Sequence, residues 1–379
     1  MIRITSVTQK KELKAFIDFP HDLYKDDAYY IPELFIAQRE LFTKHPFHEH
    51  SSVQCFLAYR GRKVLGRITA ILNNNHNQYN QCTDGFFGFF DCVNDKQVAE
   101  LLFDAAHQWL KERGATCMIG PVNFSFNETC GLLVEGFQSP PVVMMPYNAP
   151  YYQHLLEESG FVKKLDLLAF RFEAEGYNDK SVRLLGQLTA RLERSRITIR
   201  KIDMKNFKQE AISLREVYNK AWDKNTGFVP MTDNEFDHIG RELKMILDPD
   251  FCQIAEQDGK IVGFALAIPD FNQVLQKVKR GRLFPTGLLK ILLNRKKIKG
   301  IRILLLGVID GYRKMGIEAC FYATIINKYR EKQLEYAEAS WTLEDNHLIN
   351  NAIIAIKGRQ YKRYRIYRKE FYSPPHIHG

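Results

Sequence analysis

Length, composition and charge set the first limits on this chain. Its 379 residues exceed what one hydrophobic core usually covers, and a hydrophobic content of 45% argues against disorder, so we expect two ordinary domains. No window approaches the roughly 18 uninterrupted apolar residues of a membrane helix. The net charge of +10 lies in one segment, 277–302, which holds ten Lys or Arg and no acid. The rest of the chain is neutral overall, which excludes a uniformly basic protein.

The first residues and the cysteines bear on the compartment. Residues 1–6 follow a strand-like pattern rather than that of an apolar signal segment. The seven cysteines are scattered, odd in number and without a Cys-x-x-Cys pair, which predicts reduced thiols. We therefore expect a cytoplasmic protein.

The first half alternates predicted strands and helices. Two strand-like runs flank Arg60-Gly61-Arg62, which is a hairpin signal. Apolar residues then follow helical spacing from Val98 to Trp109, and Gly114 ends that helix. The predicted elements are strands 53–59, 64–71 and 85–92, the helix from 98, strand 117–119, helix 151–159 and strand 165–172.

The second half repeats this order. Segment 55–71 reappears as 252–268 with six identities and no gap, and Asn148 and Asn346 each precede a glycine by twelve residues. The predicted elements are strand 197–202, helix 207–222, hairpin strands 251–255 and 261–268, strand 303–308, helix 317–332, strand 336–341, helix 347–356 and strand 364–367. Two matches in one order predict two copies of one fold. We expect domains at 1–180 and 196–379, joined by a linker at 181–195.

The order of these elements resembles the fold of the GNAT acyl-CoA N-acyltransferases, once in each half. This resemblance implies an α/β protein of two tandem GNAT-like domains of bacterial type, each a mixed central sheet flanked by helices. Its most specific residues lie at 308–317, Val-Ile-Asp-Gly-Tyr-Arg-Lys-Met-Gly-Ile, which is similar to the family's strand-end Val followed by Arg-x-x-Gly-x-Gly/Ala at a helix start.

The chemistry of that segment suits a polyphosphate. A loop that enters a helix presents unpaired N–H groups and a partial positive charge, and glycine lets the backbone come close. In the GNAT family the ligand there is coenzyme A, so the resemblance implies acetyl-CoA or a longer acyl-CoA as donor, without a metal. The predicted CoA-binding residues are Val308, Arg313, Lys314, Met315, Gly316 and Ile317. The alternative is a tight turn with an exposed basic pair.

Two departures from the family pattern affect the mechanism. Glu318 occupies the final Gly/Ala position, although Ala319 follows it. Family members often carry a Tyr seven residues after the helix-starting Asn, where it protonates the departing thiolate. Here those positions are Ile353 and Leu155, so the usual general acid cannot be carried over.

The first half lacks the phosphate loop, because the equivalent stretch 91–98 contains no Gly and no Arg. It carries instead a long Gly- and Pro-rich loop, 120–141, and loops of this length are usually functional or disordered. We hypothesise that this loop forms the amine-acceptor site, with Glu128 as proton acceptor and Tyr147 orienting the substrate. The predicted substrate-binding residues are Asn123, Ser125 and Asn127. The alternative is a structural plug where CoA once bound.

The second hairpin is followed by a basic insertion at 270–300 in place of a short turn. Aliphatic residues are set among its cations, which is typical of a peripheral membrane element. Three interpretations stay open: contact with an anionic membrane through 277–302 at its inner face, a solvated surface helix, and nucleic-acid binding. Aliphatic rather than aromatic interleaving argues against nucleic acid. His45, His48 and His50 could in principle hold a metal, but their loop setting favours packing.

Together with the resemblance, these features predict an N-acyltransferase that moves an acyl group from acyl-CoA to an amine, with a lipid or long-chain amine as a candidate acceptor. Tandem GNAT-like domains also resemble the Fem family, which uses aminoacyl-tRNA, but the Arg313 loop favours a CoA donor. A third interpretation is a non-catalytic acyl-CoA-binding protein. The absence of the usual Tyr and the presence of Glu318 favour it.

Overall fold

The computed structural model describes residues 1–173, 179–222 and 228–371. It divides into two compact units. Unit 1 contains Met1–Leu167, Asn272–Asn294 and the described part of Lys362–Gly379, and unit 2 contains the described parts of Leu168–Phe271 and Arg295–Tyr361. Each unit therefore draws on both halves of the sequence. The contiguous domains expected from the sequence remain a prediction, because compactness alone does not show which segments fold together.

The strands and helices of the described residues are numbered in chain order. The strands are β1 (Ile2–Ser6), β2 (Ser52–Arg60), β3 (Lys63–Leu72), β4 (Asp84–Cys92), β5 (Cys117–Gly120), β6 (Leu132–Glu135), β7 (Val162–Glu173), β8 (Ile197–Lys201), β9 (Cys252–Gln257), β10 (Lys260–Pro269), β11 (Gly300–Val308), β12 (Tyr336–Leu343) and β13 (Arg359–Glu370). The helices are α1 (Lys10–Leu23), α2 (Phe35–Lys44), α3 (Asn74–Asn80), α4 (Lys96–Lys111), α5 (Tyr152–Glu158), α6 (Asp179–Arg194), α7 (Phe207–Trp222), α8 (Asp233–Ile246), α9 (Asn272–Leu275), α10 (Gly287–Asn294), α11 (Ile317–Glu331) and α12 (His347–Ala355).

The sheet of unit 1 has the strand order β1-β2-β3-β4-β5-β13, with β6 also paired to β13. Only β4 and β5 in this set run parallel, and the other pairs are antiparallel. Helix α4 begins where the Asp95 side chain accepts hydrogen bonds from two backbone N–H groups. Its apolar face, with Val98, Leu102 and Phe103, is buried in the core of this unit. The predicted hairpin around Arg60–Lys63 is confirmed.

The sheet of unit 2 has the order β12-β11-β10-β9-β8. Here β11 and β12 run parallel, and the remaining pairs are antiparallel. Helix α11 packs its buried residues, among them Ile317, Phe321 and Ile325, into the core of this unit. An antiparallel hairpin that leads into a parallel strand pair therefore occurs in each unit. The two-copy prediction is confirmed.

The predicted linker at 181–195 coincides with most of helix α6. Within its described side chains, Leu192 is buried in the core of unit 2, and Leu185 and Leu188 pack against that core. These leucines, spaced three to four residues apart along the helix, therefore face a hydrophobic core.

The last strand, β13, lies in unit 1 from Lys362 onward. Its residues pair with β5 in the register Tyr367 to Gly120 through Glu370 to Cys117. Tyr364 and Tyr367 are fully buried. The end of the described chain thus completes a sheet that the first 167 residues begin.

Candidate functional site

A gap between two parallel strands is the main opening in the sheet of unit 2. Strands β11 and β12 pair from Gly300 with Tyr336 to Ile303 with Ala339, and these four positions are their whole shared ladder. Beyond them β11 runs on to Val308 and β12 to Leu343. The side chains of 303–306 and 341–343 are only half-buried. The short ladder therefore leaves a gap between the two strands toward their carboxyl ends.

The loop between β11 and α11 lies at the mouth of this gap. Gly311 and Gly316 adopt φ values of +91° and +101°, which residues with a side chain rarely adopt. Gly316 is the N-cap of α11 and the helix start receives no side-chain cap. The first N–H groups of α11 are therefore available to an anion, as at other helix N-termini.

The six predicted CoA-binding residues divide into two groups. Val308 and Ile317 are buried in the core of unit 2 and fix the ends of the loop. Arg313 and Lys314 are exposed, while Met315 and Gly316 are half-buried. The Arg313 Nε donates to the Val308 carbonyl at 3.2 Å, and its Nη1 lies 3.3 Å from Asp310 Oδ1. CoA binding by these residues remains a prediction.

The equivalent gap in unit 1 is filled by the chain itself. Strands β4 and β5 pair only from Asp84–Cys117 to Phe86–Ile119. The Val122 N–H then donates to the Phe87 carbonyl at 2.8 Å, and the Phe89 N–H donates to Asn123 Oδ1 at 2.9 Å. A Cβ on Gly88 would come within 2.2 Å of the Val122 oxygen, so this close approach requires glycine. These contacts favour the plug interpretation for the start of the 120–141 loop.

The other predicted acceptor residues lie in or near this loop of unit 1. Ser125 Oγ accepts a hydrogen bond from the Asn127 N–H at 3.2 Å. Glu128 Oε1 lies 3.5 Å from His45 Nε2, and Glu128 is partly exposed. Tyr147 donates its hydroxyl proton to Asp27 Oδ2 at 2.6 Å. The loop thus brings Asn123, Ser125, Asn127 and Glu128 into one segment, and the catalytic roles of Glu128 and Tyr147 remain predictions.

The histidines near residue 48 have separate hydrogen-bond partners. His45 Nδ1 accepts from the Phe47 N–H, His48 Nε2 is 3.0 Å from the Leu41 carbonyl and His50 Nδ1 is 2.6 Å from Ser51 Oγ. Their nitrogens serve local loop structure. The prediction that packing, and not a metal, explains these residues fits these contacts.

A second group of potential metal ligands lies in unit 1. Ligand atoms of His76, Cys82 and Asp84 lie within 4.8 Å of one another. The Cys117 thiol donates to Asp84 Oδ1 at 3.0 Å, and the Arg368 guanidinium lies 3.8 Å from the same oxygen. Although burial opposes ionisation, His76, Cys117 and Arg368 hold the pKa of the Asp84 carboxyl well below its usual range. A neighbouring arginine disfavours a cation, so these residues serve an ion-pair network.

A buried polar cluster in unit 2 was missed by the sequence analysis. Glu338 on β12 is fully buried, and its carboxyl oxygens are hydrogen-bonded to the hydroxyls of Ser340 and Tyr361. Arg302 on β11 donates to Ser340 Oγ at 3.0 Å. Burial raises the pKa of the Glu338 carboxyl, and the two hydroxyls and Arg302 oppose that rise only in part. The one signal in the sequence is the alternation Tyr-Ala-Glu-Ala-Ser at 336–340, which places three polar side chains on one strand face.

The basic insertion forms a surface of unit 1 through its residues 272–294. Large apolar side chains are exposed there: Phe284 at 77%, Leu293 at 62%, Leu289 at 58%, Leu292 at 52% and Leu288 at 41%. Several of the ten cations are engaged elsewhere: Arg282 pairs with Asp18 at 2.7 Å, Arg280 pairs with Asp22, and Arg302 is buried and donates to Ser340. Among the described residues, the helices are too short or too polar to cross a bilayer.

Comparison with known proteins places the chain in a family. No family model matches it. It is 37% identical over 377 residues to Protein YghO of Escherichia coli (strain K12), an alignment that covers 97% of this chain and 95% of that protein. It is 34% identical over 380 residues to the Bacterial ceramide synthase of Caulobacter vibrioides (strain NA1000 / CB15N), covering 97% of each. The chain belongs to the family of these two proteins.

Solved structures with the same fold are tandem GNAT proteins. A tandem GNAT protein from the clavulanic acid biosynthesis pathway matches with a TM-score of 0.57 at 9% identity, covering 99% of this chain and all of that one. A GCN5-related N-acetyltransferase from Sphaerobacter thermophilus matches with a TM-score of 0.53 at 11% identity, covering 97% and 95%. At such identities the likeness concerns the fold. The predicted tandem GNAT-like fold is confirmed, and this fold together with the ceramide synthase relative supports an acyltransferase.

Proposed function

We propose that this protein transfers an acyl group from acyl-CoA to the amino group of a long-chain amine, and that the donor binds unit 2. The observation that carries the proposal is the contrast between the two gaps. The gap between β11 and β12 is lined by half-buried side chains, whereas Val122 and Asn123 fill the gap between β4 and β5. An extended pantetheine arm needs an open gap with unpaired strand edges.

The donor would be held at two points of unit 2. The pyrophosphate would accept hydrogen bonds from the N–H groups at the start of α11, with the Arg313 and Lys314 charges beside it. The pantetheine amides would pair with the β11 edge beyond Ile303, as an added strand does. This places the thioester near the point where β11 and β12 separate.

The acceptor is proposed from chemistry and from a relative. A ceramide is an N-acylated long-chain base, and the Caulobacter vibrioides relative bears the name of a ceramide synthase. A long-chain amino alcohol would bring both a nucleophilic amine and an apolar tail. The acceptor role of Glu128 and Tyr147 belongs to this proposal, with Glu128 taking the proton that the attacking amine loses.

Contact with an anionic membrane would give access to such a substrate. The exposed Phe284, Leu289 and Leu293 lie in the same segment as Lys277, Lys279 and Lys290. Each basic residue near an anionic leaflet adds about 1 kcal/mol of binding. Because Arg280 and Arg282 are held in ion pairs, we expect fewer lysines and arginines to contribute than the sequence count suggests.

The test is a thermal melt with and without CoA or palmitoyl-CoA. A ligand at about 100 times its dissociation constant stabilises the folded state by about 2.7 kcal/mol, enough for a visible shift in Tm. We expect the shift in the wild type and its loss in Arg313→Ala/Gly316→Glu. The matched control is Arg62→Ala/Gly61→Glu, which alters an exposed Arg and a glycine with φ +61° in the β2–β3 turn.

The outcomes separate the competing functions. A shift that the control keeps and the Arg313 variant loses supports the donor site in unit 2. No shift with either ligand would remove the CoA assignment and favour an aminoacyl-tRNA donor. A shift without turnover of any amine in an acyl-CoA panel would instead indicate a non-catalytic acyl-CoA binder.

A further inference from the structure

A buried carboxyl group lies where the two strands of the unit 2 gap separate. Glu338 pairs in register with Arg302, one position before the last ladder pair of Ile303 with Ala339. Its side chain is fully buried. Burying a carboxyl group costs free energy that an apolar residue at this position would not cost. The place of Glu338 at the end of the ladder therefore points to a chemical use.

The hydroxyl groups around Glu338 form a path for a proton. Ser340 Oγ donates to Glu338 Oε1, and the Tyr361 hydroxyl donates to Oε2 while Glu338 is ionised. When Glu338 carries a proton, it donates to Tyr361 Oη instead. Ser340 in turn accepts from Arg302 Nε at 3.0 Å, and its carbonyl accepts from Arg302 Nη2 at 3.2 Å. Unlike Glu338, Tyr361 is partly exposed. Of these two residues, Tyr361 is the one with solvent-accessible surface.

Charged groups from several elements surround this pair. Arg302 of β11 favours the ionised form of Glu338, whereas Asp270, next to the end of β10, disfavours it. The Arg171 guanidinium of β7 lies 5.9 Å from the Tyr361 ring centre and 4.0 Å from that of Tyr336. Burial outweighs the stabilising contacts and raises the pKa of Glu338. The carboxyl group therefore holds its proton to higher pH than an ordinary glutamic acid.

The geometry of β11 relates this cluster to the proposed donor. From Val308, where the loop begins, five residues of strand lead back to Ile303, which at about 3.3 Å per residue is about 17 Å. An extended pantetheine arm has a comparable length. A CoA held by the N-terminus of α11 would therefore bring its sulfur to the end of the β11–β12 ladder, next to the strand positions of Glu338 and Ser340.

We propose that Tyr361 is the general acid that protonates the departing CoA sulfur, and that Glu338 is a positioning residue that holds and resupplies its proton. The proposal rests on acyl-CoA being the donor in unit 2. It assigns a general acid to a protein in which the positions of the usual GNAT tyrosine hold Ile353 and Leu155.

The proposed step balances in protons and bonds. The neutral amine forms a C–N bond to the thioester carbon, and its nitrogen loses one proton to the acceptor side or to solvent. As the C–S bond breaks, its electron pair goes to sulfur, which takes the Tyr361 hydroxyl proton. Glu338, in its acid form, passes its proton to the tyrosyl oxygen. The Glu338 carboxylate then takes a proton from solvent, which restores the starting state.

The experiment uses the full chain with palmitoyl-CoA and sphinganine. We expect Glu338→Gln and Tyr361→Phe each to lower kcat by about 100-fold, at the lower end of what general acid catalysis contributes. The double variant should lose little more than either single variant, because both act on one proton transfer. The matched control is Tyr336→Phe, which removes another hydroxyl bonded to a carboxylate, Asp270, in unit 2.

The pH profile distinguishes this role from a structural one. Wild-type kcat should fall as pH rises through the pKa of Glu338, because the acid form disappears. Glu338→Gln cannot lose a proton in this way, so its profile should lack that descending limb while palmitoyl-CoA still raises its Tm. If Glu338→Gln does not fold, Tyr361→Phe carries the test through its kcat and Tm.

Different results would contradict the role of Tyr361 and Glu338 and the proposed function. A descending limb that persists in Glu338→Gln, full activity of Tyr361→Phe, or an equal loss in Tyr336→Phe would overturn the proposal while leaving the proposed function intact. Failure of the wild type to bind palmitoyl-CoA would overturn both.

Discussion

Single residues in this protein carry roles that their chemical type alone does not reveal. Glu128, Asp166 and Glu338 are all acids within or beside strands and loops, yet their surroundings differ. Glu128 is partly exposed beside His45, Asp166 is fully buried among cations and Glu338 is fully buried among hydroxyls. The cations around Asp166 lower its pKa, so it stays ionised to lower pH than usual, and burial raises the pKa of Glu338, so it holds its proton to higher pH than usual.

Replacing Glu128 by Gln tests the acceptor hypothesis. If Glu128 takes the proton from the incoming amine, Glu128→Gln should lower kcat by about 100-fold, since general base catalysis contributes at least that much. Steady-state turnover of sphinganine with palmitoyl-CoA measures this. Glu135→Gln is a suitable control, because it changes another acid of the 120–141 loop, which lies 3.1 Å from Arg363, and it should leave kcat unchanged. Unchanged turnover of Glu128→Gln removes Glu128 from the mechanism.

Replacing Asp166 by Asn tests a buried ion-pair network in unit 1. Asp166 accepts from Arg365 at 2.7 Å and from Arg363 at 3.0 Å, and Lys163 lies 3.1 Å away. Although burial opposes it, these three cations lower the pKa of Asp166. We expect Asp166→Asn to lower the free energy of unfolding by about 3–5 kcal/mol at neutral pH.

The difference in the free energy of unfolding between the wild type and Asp166→Asn should depend on pH in a definite direction. Because the pKa of Asp166 is depressed in the folded state, its stabilisation is present above the unfolded pKa of about 3.9 and is lost as pH falls through the folded value. Urea unfolding of both proteins between about pH 7 and pH 3 should show that the difference in their free energies of unfolding becomes smaller in acid. A free-energy difference that does not change with pH would mean that Asp166 acts through packing alone.

At the scale of elements, the parts with local signals were predictable and the parts with distant partners were not. Alternation and turn residues are local, so both hairpins and the α11 start at Gly316 followed from the sequence. The pairing of β13 with β5 joins residues about 250 positions apart, and strand periodicity does not specify a partner. Glu338 was missed because one acid in a short strand usually marks a solvent-facing side, and only the register beside Arg302 shows it to be buried.

The insertion helix α10 gives a prediction at this scale. Leu289→Glu/Leu293→Glu should abolish sedimentation with liposomes that contain anionic lipid, because each change removes an exposed apolar anchor and adds repulsion. Leu348→Glu/Ile354→Glu on α12 changes two exposed apolar residues in a segment without a lysine and arginine cluster, and should leave sedimentation unchanged. Raising the salt concentration should weaken wild-type binding. Sedimentation that is equal in all three proteins would rule out this surface.

At the scale of the whole molecule, two copies of one fold have diverged in what fills their strand gaps. The copy in unit 1 uses backbone and Asn123 to close its gap, and the copy in unit 2 keeps an open one next to a glycine-containing loop. Under the proposed function, such closure leaves the gap of unit 2 for the donor. The sequence showed this division through the missing glycines at 91–98, while the hydrogen bonds that close the gap required the structure.

Hydrogen exchange should distinguish the open strand gap of unit 2 from the filled gap of unit 1. Palmitoyl-CoA is expected to slow amide exchange in 303–317, where strand edge and helix start would be covered, and to leave 84–92 and 120–124 unchanged. Exchange measured by mass spectrometry with and without the ligand checks this. Protection of the β4 region instead would place the donor in unit 1.

The contribution of β13 to unit 1 has a consequence for synthesis on the ribosome. Unit 1 begins with Met1–Leu167 but completes its sheet only with residues from Lys362 onward. At about 5–20 residues per second, translation of the intervening segment takes roughly 10–40 seconds. During that time the nascent β5 edge and the core sites of Tyr364 and Tyr367 lack their partners. Stalling or premature termination late in translation should therefore damage the half of the protein that emerged first.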